Sequence, residues 1–166
     1  KVDTVLGPEM KSTGEIIGKD VNLPKALYKG FIASGVHVPD YGTALMTVSD
    51  KDKAEVIPLA KRLISLGYHI VATTGTGKAL EAEGIKVDVI EKINENSNDI
   101  LDAIRDGRIN LVINTMTEGK TSETDGFLIR REAVENNIPC LTSLDTAEAL
   151  LQAMETIHFQ LEDMSK

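Results

Sequence analysis

The chain has 166 residues and a mass of 18.0 kDa, room for one globular domain with a sizeable core and a small appendage. Its 42% hydrophobic and 27% charged content is that of a globular protein, no apolar run reaches the length of a membrane span, and the single Cys140 excludes a disulfide framework; a reducing cytoplasm is the expected setting. A net charge of -8 argues against nucleic-acid binding, which draws its affinity from clustered Lys and Arg, so any phosphate ligand must be small and held by local positive charge.

Residues 1–42 read as an N-terminal extension. The stretch "VDTVLGPEMKSTGEIIG" (2–18) is polar and glycine-punctuated without a period, Leu23, Leu27 and Phe31 recur at helical spacing, and "VHVPDYG" (36–42) reads as a linker. No complete domain fits there, so this segment is expected to be the end of something larger. From Thr43 onward short apolar runs alternate with helical patterns, as in a three-layer α/β domain whose mostly parallel sheet is flanked by helices. Strands are expected at 43–48, 69–74, 86–91, 109–114 and 138–142, the fifth at an edge because Pro139 removes a ladder donor. Helices are expected from about Ala54 to Gly67, from Thr76 to about Glu83, from Ser97 to Asp106 and from about Gly126 to Glu135. Gly67, Gly84 and Gly107 are the expected left-handed stops. A start near Ala54 puts Pro58 in the first turn, where a missing amide costs little. Asp145 is expected to cap a last helix that carries Ala147, Leu150, Leu151, Met154 and Ile157 on one face.

The chemistry concentrates in "VATTGTGKAL" (71–80). A Walker A loop would need glycine at Ala72 and Ser or Thr at Ala79, and a dinucleotide fingerprint would need glycine at Leu80, so neither motif is present. What remains is a strand entering a helix through Thr73, Thr74, Gly75, Thr76 and Gly77, with hydroxyls and free amides at the positive end of the helix dipole. Taken alone, this loop is equally well explained as a helix cap at Thr76 with two turning glycines. The other strand ends shift the balance, because open parallel sheets collect ligands outside the carboxyl ends of their strands. Lys53 follows the first strand, Lys92 the third, and Asn114, Thr115, Thr117 and Lys120 the fourth. Together they are expected to form a convergent oxyanion site, although any single lysine alone reads as a solvated surface charge. Arg130 and Arg131 read as salt-bridge partners on an amphipathic helix, and Cys140 as a small core residue with no histidine near it in sequence.

These residues resemble a known family. "VDTVLGPEMKSTGEIIG" is similar to the tail of the second ATP-grasp half of carbamoyl phosphate synthetase large subunits. "ALMTVSDKDK", "VATTGTGKAL", "VINTMTEGK" and "DGFLIRREAVENNIPCLTSLDTAEAL" resemble the C-terminal regulatory domain of that subunit, which has the methylglyoxal synthase-like fold. The resemblance implies an ATP-grasp tail at 1–20, a connecting helix and linker at 21–42 and an allosteric domain at 43–166. It implies a parent enzyme, a ligase using ATP with Mg or Mn, that makes carbamoyl phosphate for pyrimidine and arginine synthesis from glutamine-derived ammonia. This chain would itself be non-catalytic, without a metal or cofactor of its own. Its partners would be UMP, phosphoribosyl pyrophosphate and, in arginine-linked forms, ornithine, together with the synthetase halves, the glutaminase small subunit and further copies of itself. Carried over by position, the effector phosphate would lie on Lys53, Thr73 and Thr76, with Lys92, Asn114 and Thr115 completing the nucleotide site. Thr74 stands where some relatives have His, and "MTEGKTSETD", with Thr117, differs from other members in length and polarity.

Two other classes compete. A methylglyoxal synthase would eliminate phosphate from dihydroxyacetone phosphate, and Asp50 and Asp125 stand where that enzyme has acids. However, "EKINENSND" replaces its glycine-glycine-aspartate loop, and no histidine occurs between His69 and His158 to position the proton. The cyclohydrolase of purine synthesis shares a "VSDK" strand end but not its downstream catalytic segments. The third class is an oligomerisation domain that binds nothing small.

Overall fold

The computed structural model describes residues 23–33, 35–36, 38–39, 41–91, 99–115 and 120–165, with backbone alone at 23–25, 27, 120–125 and 160–165. In chain order they form α1 (Leu23–Ala33), β1 (Gly42–Thr47), a 3-10 turn (Asp50–Asp52), α2 (Lys53–Ser65), β2 (Tyr68–Thr73) and α3 (Thr74–Ala82). There follow β3 (Asp88–Ile90), α4 (Asp99–Arg105), β4 (Leu111–Asn114), α5 (Lys120–Glu135), β5 (Cys140–Leu141) and α6 (Leu144–Ser165). The expected tail at 1–20 lies outside the described residues.

All five strands are parallel, in the order β3-β2-β1-β4-β5. β1 is central because its residues can be buried from both sides. Ala44 and Met46 join one core cluster with Phe31 of α1, Val56, Leu59 and Leu63 of α2, Leu80 of α3 and Leu150 of α6. Leu45 points the other way, to Val112 and to Ile100 and Ile104 of α4 and Ile129 of α5. Period-two alternation thus feeds two cores, and the strand reads as a continuous apolar run. The chain builds outward from β1 through β2 to β3, then crosses to β4 on its other side. The order therefore reverses beside β1, the place where such sheets leave a crevice at the carboxyl ends of their strands.

The segment expected to connect two domains is packed into this core. Phe31, Val36 and Val38 are all buried in the first cluster, and the Tyr68 hydroxyl donates to the Pro39 carbonyl at 2.5 Å.

Several boundaries differ from the sequence expectations for physical reasons. The edge strands shrink to three and two residues, since each has a neighbour on one side only. α2 begins at Lys53, so Pro58 sits past the first turn; Ala54 and Pro58 are both exposed, where water can take the carbonyl the proline leaves unbonded. α5 starts at Lys120 rather than Gly126. The last helix is capped by Ser143, whose Oγ accepts the Thr146 amide at 3.2 Å, and Asp145 is inside the first turn. Gly84 and Gly107 are left-handed as expected, at φ 78° and 79°, and Asn137 adopts the same conformation at φ 57° after α5. In each case the following amide reaches back to close the helix, as Ile138 N–H does to Ala133 O at 2.8 Å.

Candidate functional site

Buried polar side chains are costly unless they are hydrogen-bonded, so their location is informative. Among the described residues they are Ser49, Thr73, Thr76, Asn114 and Thr115, each no more than 7% exposed. All of them lie at the carboxyl ends of β1, β2 and β4 or just beyond. The sheet thus gathers at one edge the residues that the sequence scatters over 67 positions, from Ser49 to Thr115.

Their bonds fix the geometry of that edge. As β1 ends, the Val48 amide donates to Thr76 Oγ1 at 3.2 Å, and the next amide, Ser49, donates to Thr115 Oγ1 at 2.9 Å. Thr73 Oγ1 donates to Thr47 Oγ1 at 3.3 Å, Thr115 N–H donates to Thr47 O at 3.2 Å, and Ser49 Oγ donates to Asp52 Oδ2 at 2.8 Å. Asn114 Nδ2 donates to Gly126 O at 3.2 Å and ties β4 to α5. A threonine hydroxyl that accepts an amide still has its own proton to give. Neither the Thr76 nor the Thr115 hydroxyl donates to any described residue, so both are buried donors set to meet an acceptor.

Thr76 is therefore not the helix cap that the loop alone allows. α3 starts two residues earlier at Thr74, which is exposed, and Thr73 holds the cap position without a side-chain cap bond. The two glycines have separate purposes. An added Cβ at Gly75 would stand 3.0 Å from Lys53 Nζ, and one at Gly77 would stand 3.0 Å from Val89 Cγ2. Gly75 leaves space for the lysine; Gly77 lets α3 approach β3.

Lys53, its side chain 27% exposed, places its ammonium beside this loop and pairs with Asp50 across one turn. The site is thus one ammonium, two uncommitted hydroxyl protons, the Thr73 and Thr47 hydroxyls, the Asn114 amide and the first turn of α3. Apart from the Asp50 and Asp52 carboxylates, these groups can donate, which suits an anion. Lys92 and Thr117 lie outside the described residues, and of Lys120 and Asp125 only the backbone is described. Thr47, Ser49 and Asp52 were not among the sequence candidates; their position at or just past the end of the central strand was the available signal.

Other sequence candidates lie elsewhere. Arg131 packs its guanidinium 5.9 Å over the Phe127 ring and lies 3.9 Å from Glu135, in keeping with an amphipathic surface. Burial pushes the Cys140 thiol up to about 12, against a smaller opposing pull from Arg130, which disfavours the thiolate, and the residue packs half-buried against the second core cluster. His69 opens β2 at the opposite end of the sheet, with Nε2 2.5 Å from Asp88, and His158 stacks edge-on against Phe159 on α6. No described residues form a metal-ligating cluster, and no described helix is long and apolar enough to cross a membrane.

The fold is similar to that of methylglyoxal synthase from Elizabethkingia anophelis NUHP1, with a TM-score of 0.58 and 21% identity over 69% of this chain and 79% of that one. It is also similar to ForH, with a TM-score of 0.56 and 22% identity over 71% and 82%. Residues 55–142, more than half of the chain, match the family model of the MGS-like domain, and they include the glycine-threonine segment and the ends of β2 and β4. The chain belongs to the MGS-like domain family.

Proposed function

We propose that this chain is a regulatory domain that binds a phosphorylated effector, and that it forms the C-terminal part of a glutamine-hydrolysing carbamoyl phosphate synthetase large subunit. The observation that carries the effector site is the cluster of buried hydroxyl and amide side chains around Lys53 at the carboxyl ends of β1, β2 and β4. The synthetase assignment rests on the resemblance of residues 2–18 and of the domain motifs. In this proposal Lys53 neutralises the effector phosphate, Thr76 and Thr115 donate to its oxygens beside Thr73 and Thr74, and Asn114, Thr117 and Lys92 meet the rest of the ligand. The ligands are UMP and phosphoribosyl pyrophosphate, with ornithine a further effector. ATP and its divalent metal belong to the synthetase halves, which with the glutaminase subunit and further copies of this chain are its partners in the cytoplasm. An effector acts only through its difference in affinity for two states of the whole enzyme, typically about 1 to 3 kcal/mol.

A methylglyoxal synthase-type lyase shares the fold. Such an enzyme is expected to need a histidine in the segment after the fourth strand as well as its acids; no histidine occurs between His69 and His158, and both of these stand away from the strand ends that hold Thr73 and Asn114. The regulatory proposal is therefore preferred.

Calorimetric titration of UMP, then phosphoribosyl pyrophosphate, tests it. Saturable binding is expected, weakened about tenfold or more by Lys53→Ala, since a charge-assisted hydrogen bond is worth about 1.5 to 3 kcal/mol. Heat from neither ligand, with ornithine also silent, would refute effector binding by this chain. Turnover of dihydroxyacetone phosphate would favour the lyase.

A further inference from the structure

Three successive residues of the glycine-threonine segment face three different elements. Gly75 faces Lys53 of α2, Thr76 accepts the Val48 amide where β1 leaves the sheet, and Gly77 faces Val89 of β3. The first turn of α3 is therefore located from three sides. Gly77 is buried, is the fourth residue of α3 and has no left-handed backbone, so its conformation does not ask for glycine and alanine would be the better helix former. What alanine lacks is room. Its Cβ would meet Val87 Cγ2 at 3.8 Å and Ala72 Cβ at 3.9 Å, both ordinary contacts, but Val89 Cγ2 at 3.0 Å. Val89 alone makes the close approach. It is held opposite Ala72 in the ladder with β2, and a β-branched side chain on a strand has few rotamers in which to retreat.

We propose that Val89 is a positioning residue for the effector site: through Gly77 it sets how closely α3 seats against β3, and thereby where the Thr76 hydroxyl stands for the ligand. This rests on the effector-site proposal above. Thr76 adjoins Gly77, is buried, and has its oxygen tied to the Val48 amide. A turn displaced from β3 must therefore strain the Val48 bond, the bond to the ligand, or both, and hydrogen bonds weaken steeply as their geometry departs from the optimum. Glycine at position 77 gives up helix propensity for the placement of its neighbour.

The test is titration of the intact chain with inorganic phosphate and with UMP, beside a thermal melt of each protein. The natural sequence is compared with Gly77→Ala, Val89→Ala and the double variant. Gly77→Ala is expected to bind both ligands about three- to tenfold more weakly, and the double variant to return to within about twofold of the natural affinity, because alanine at position 89 vacates the space. Val89→Ala alone is expected to bind no more tightly than the natural sequence. Undiminished binding by Gly77→Ala would mean that Val89 gives way, which overturns the positioning role and leaves the effector site standing. A double variant that binds no better than Gly77→Ala, or melts no better where that variant is unfolded, also overturns it. So does a gain in Val89→Ala equal to the recovery in the double variant, since the two effects would then be independent. Saturable binding by none of the four proteins removes the effector site itself, and with it the role of Val89.

Discussion

The two ends of the sheet solve the same problem with different side chains. At the amino end the Thr43 amide is met by Asn110 Oδ1 at 2.9 Å, Tyr68 reaches the Pro39 carbonyl, and the surroundings are an apolar groove of Tyr28, Leu66, Met154 and neighbours. At the carboxyl end the amides of Val48 and Ser49 are met by threonine hydroxyls. An amide oxygen closes a backbone donor without adding one; a hydroxyl closes it and contributes a proton in its place. The amino end is built for cohesion and the carboxyl end for reception.

Substitutions can break this contrast. Thr76→Val would strand the buried Val48 amide, at a cost of about 1 to 3 kcal/mol, and should also abolish the effector heat. Thermal denaturation beside calorimetry should show both losses; stability lost with affinity intact would place Thr76 in the scaffold alone. Gly42→Ala attacks the other end, where φ is 152° and an added Cβ would run into the Asn110 side chain. A destabilisation of about 1 to 3 kcal/mol is expected by denaturant titration, with effector affinity unchanged. Tyr68→Phe should cost only about 1 kcal/mol and likewise spare binding. A shift in affinity from either amino-end variant would show that the ends are energetically linked.

The smallest effect lies on neither end. Glu132, between α5 and α4, is held below its ordinary value of 4.5, chiefly by its hydrogen bond with Arg105 and then by Asn136, against partial desolvation. A carboxylate with a depressed folded value contributes stability that is present above the unfolded value and lost as pH falls through the folded one. Acid titration of the melting temperature should therefore fall slightly less steeply below about pH 4.5 in Glu132→Gln than in the natural sequence.

Much of the fold was legible because its signals are local. Apolar runs placed all five strands, Pro139 placed the fifth at an edge, and the glycines after α3 and α4 marked their ends. Asn137 escaped because asparagine is left-handed only where context requires it. The candidate site was legible as a set of strand ends but not as a network. Its decisive bonds join residues 28 and 66 positions apart, Val48 to Thr76 and Ser49 to Thr115, and no spacing rule reaches that far. Thr76 consequently read as a possible cap, and Asp145 took a role that belongs to Ser143, since two capping residues two positions apart cannot be told apart without backbone angles.

Consecutive amides of an extended chain point in opposite directions, and β1 uses this as it leaves the sheet. Val48 turns toward the loop after β2, and Ser49 toward the loop after β4. The exit of β1 is therefore a fixed measure. Insertion or deletion of one residue between Thr47 and Ser49 would offer each amide to the wrong neighbour and detach both loops at once. Descendants of this chain are free to vary the side chains of those positions more readily than their number.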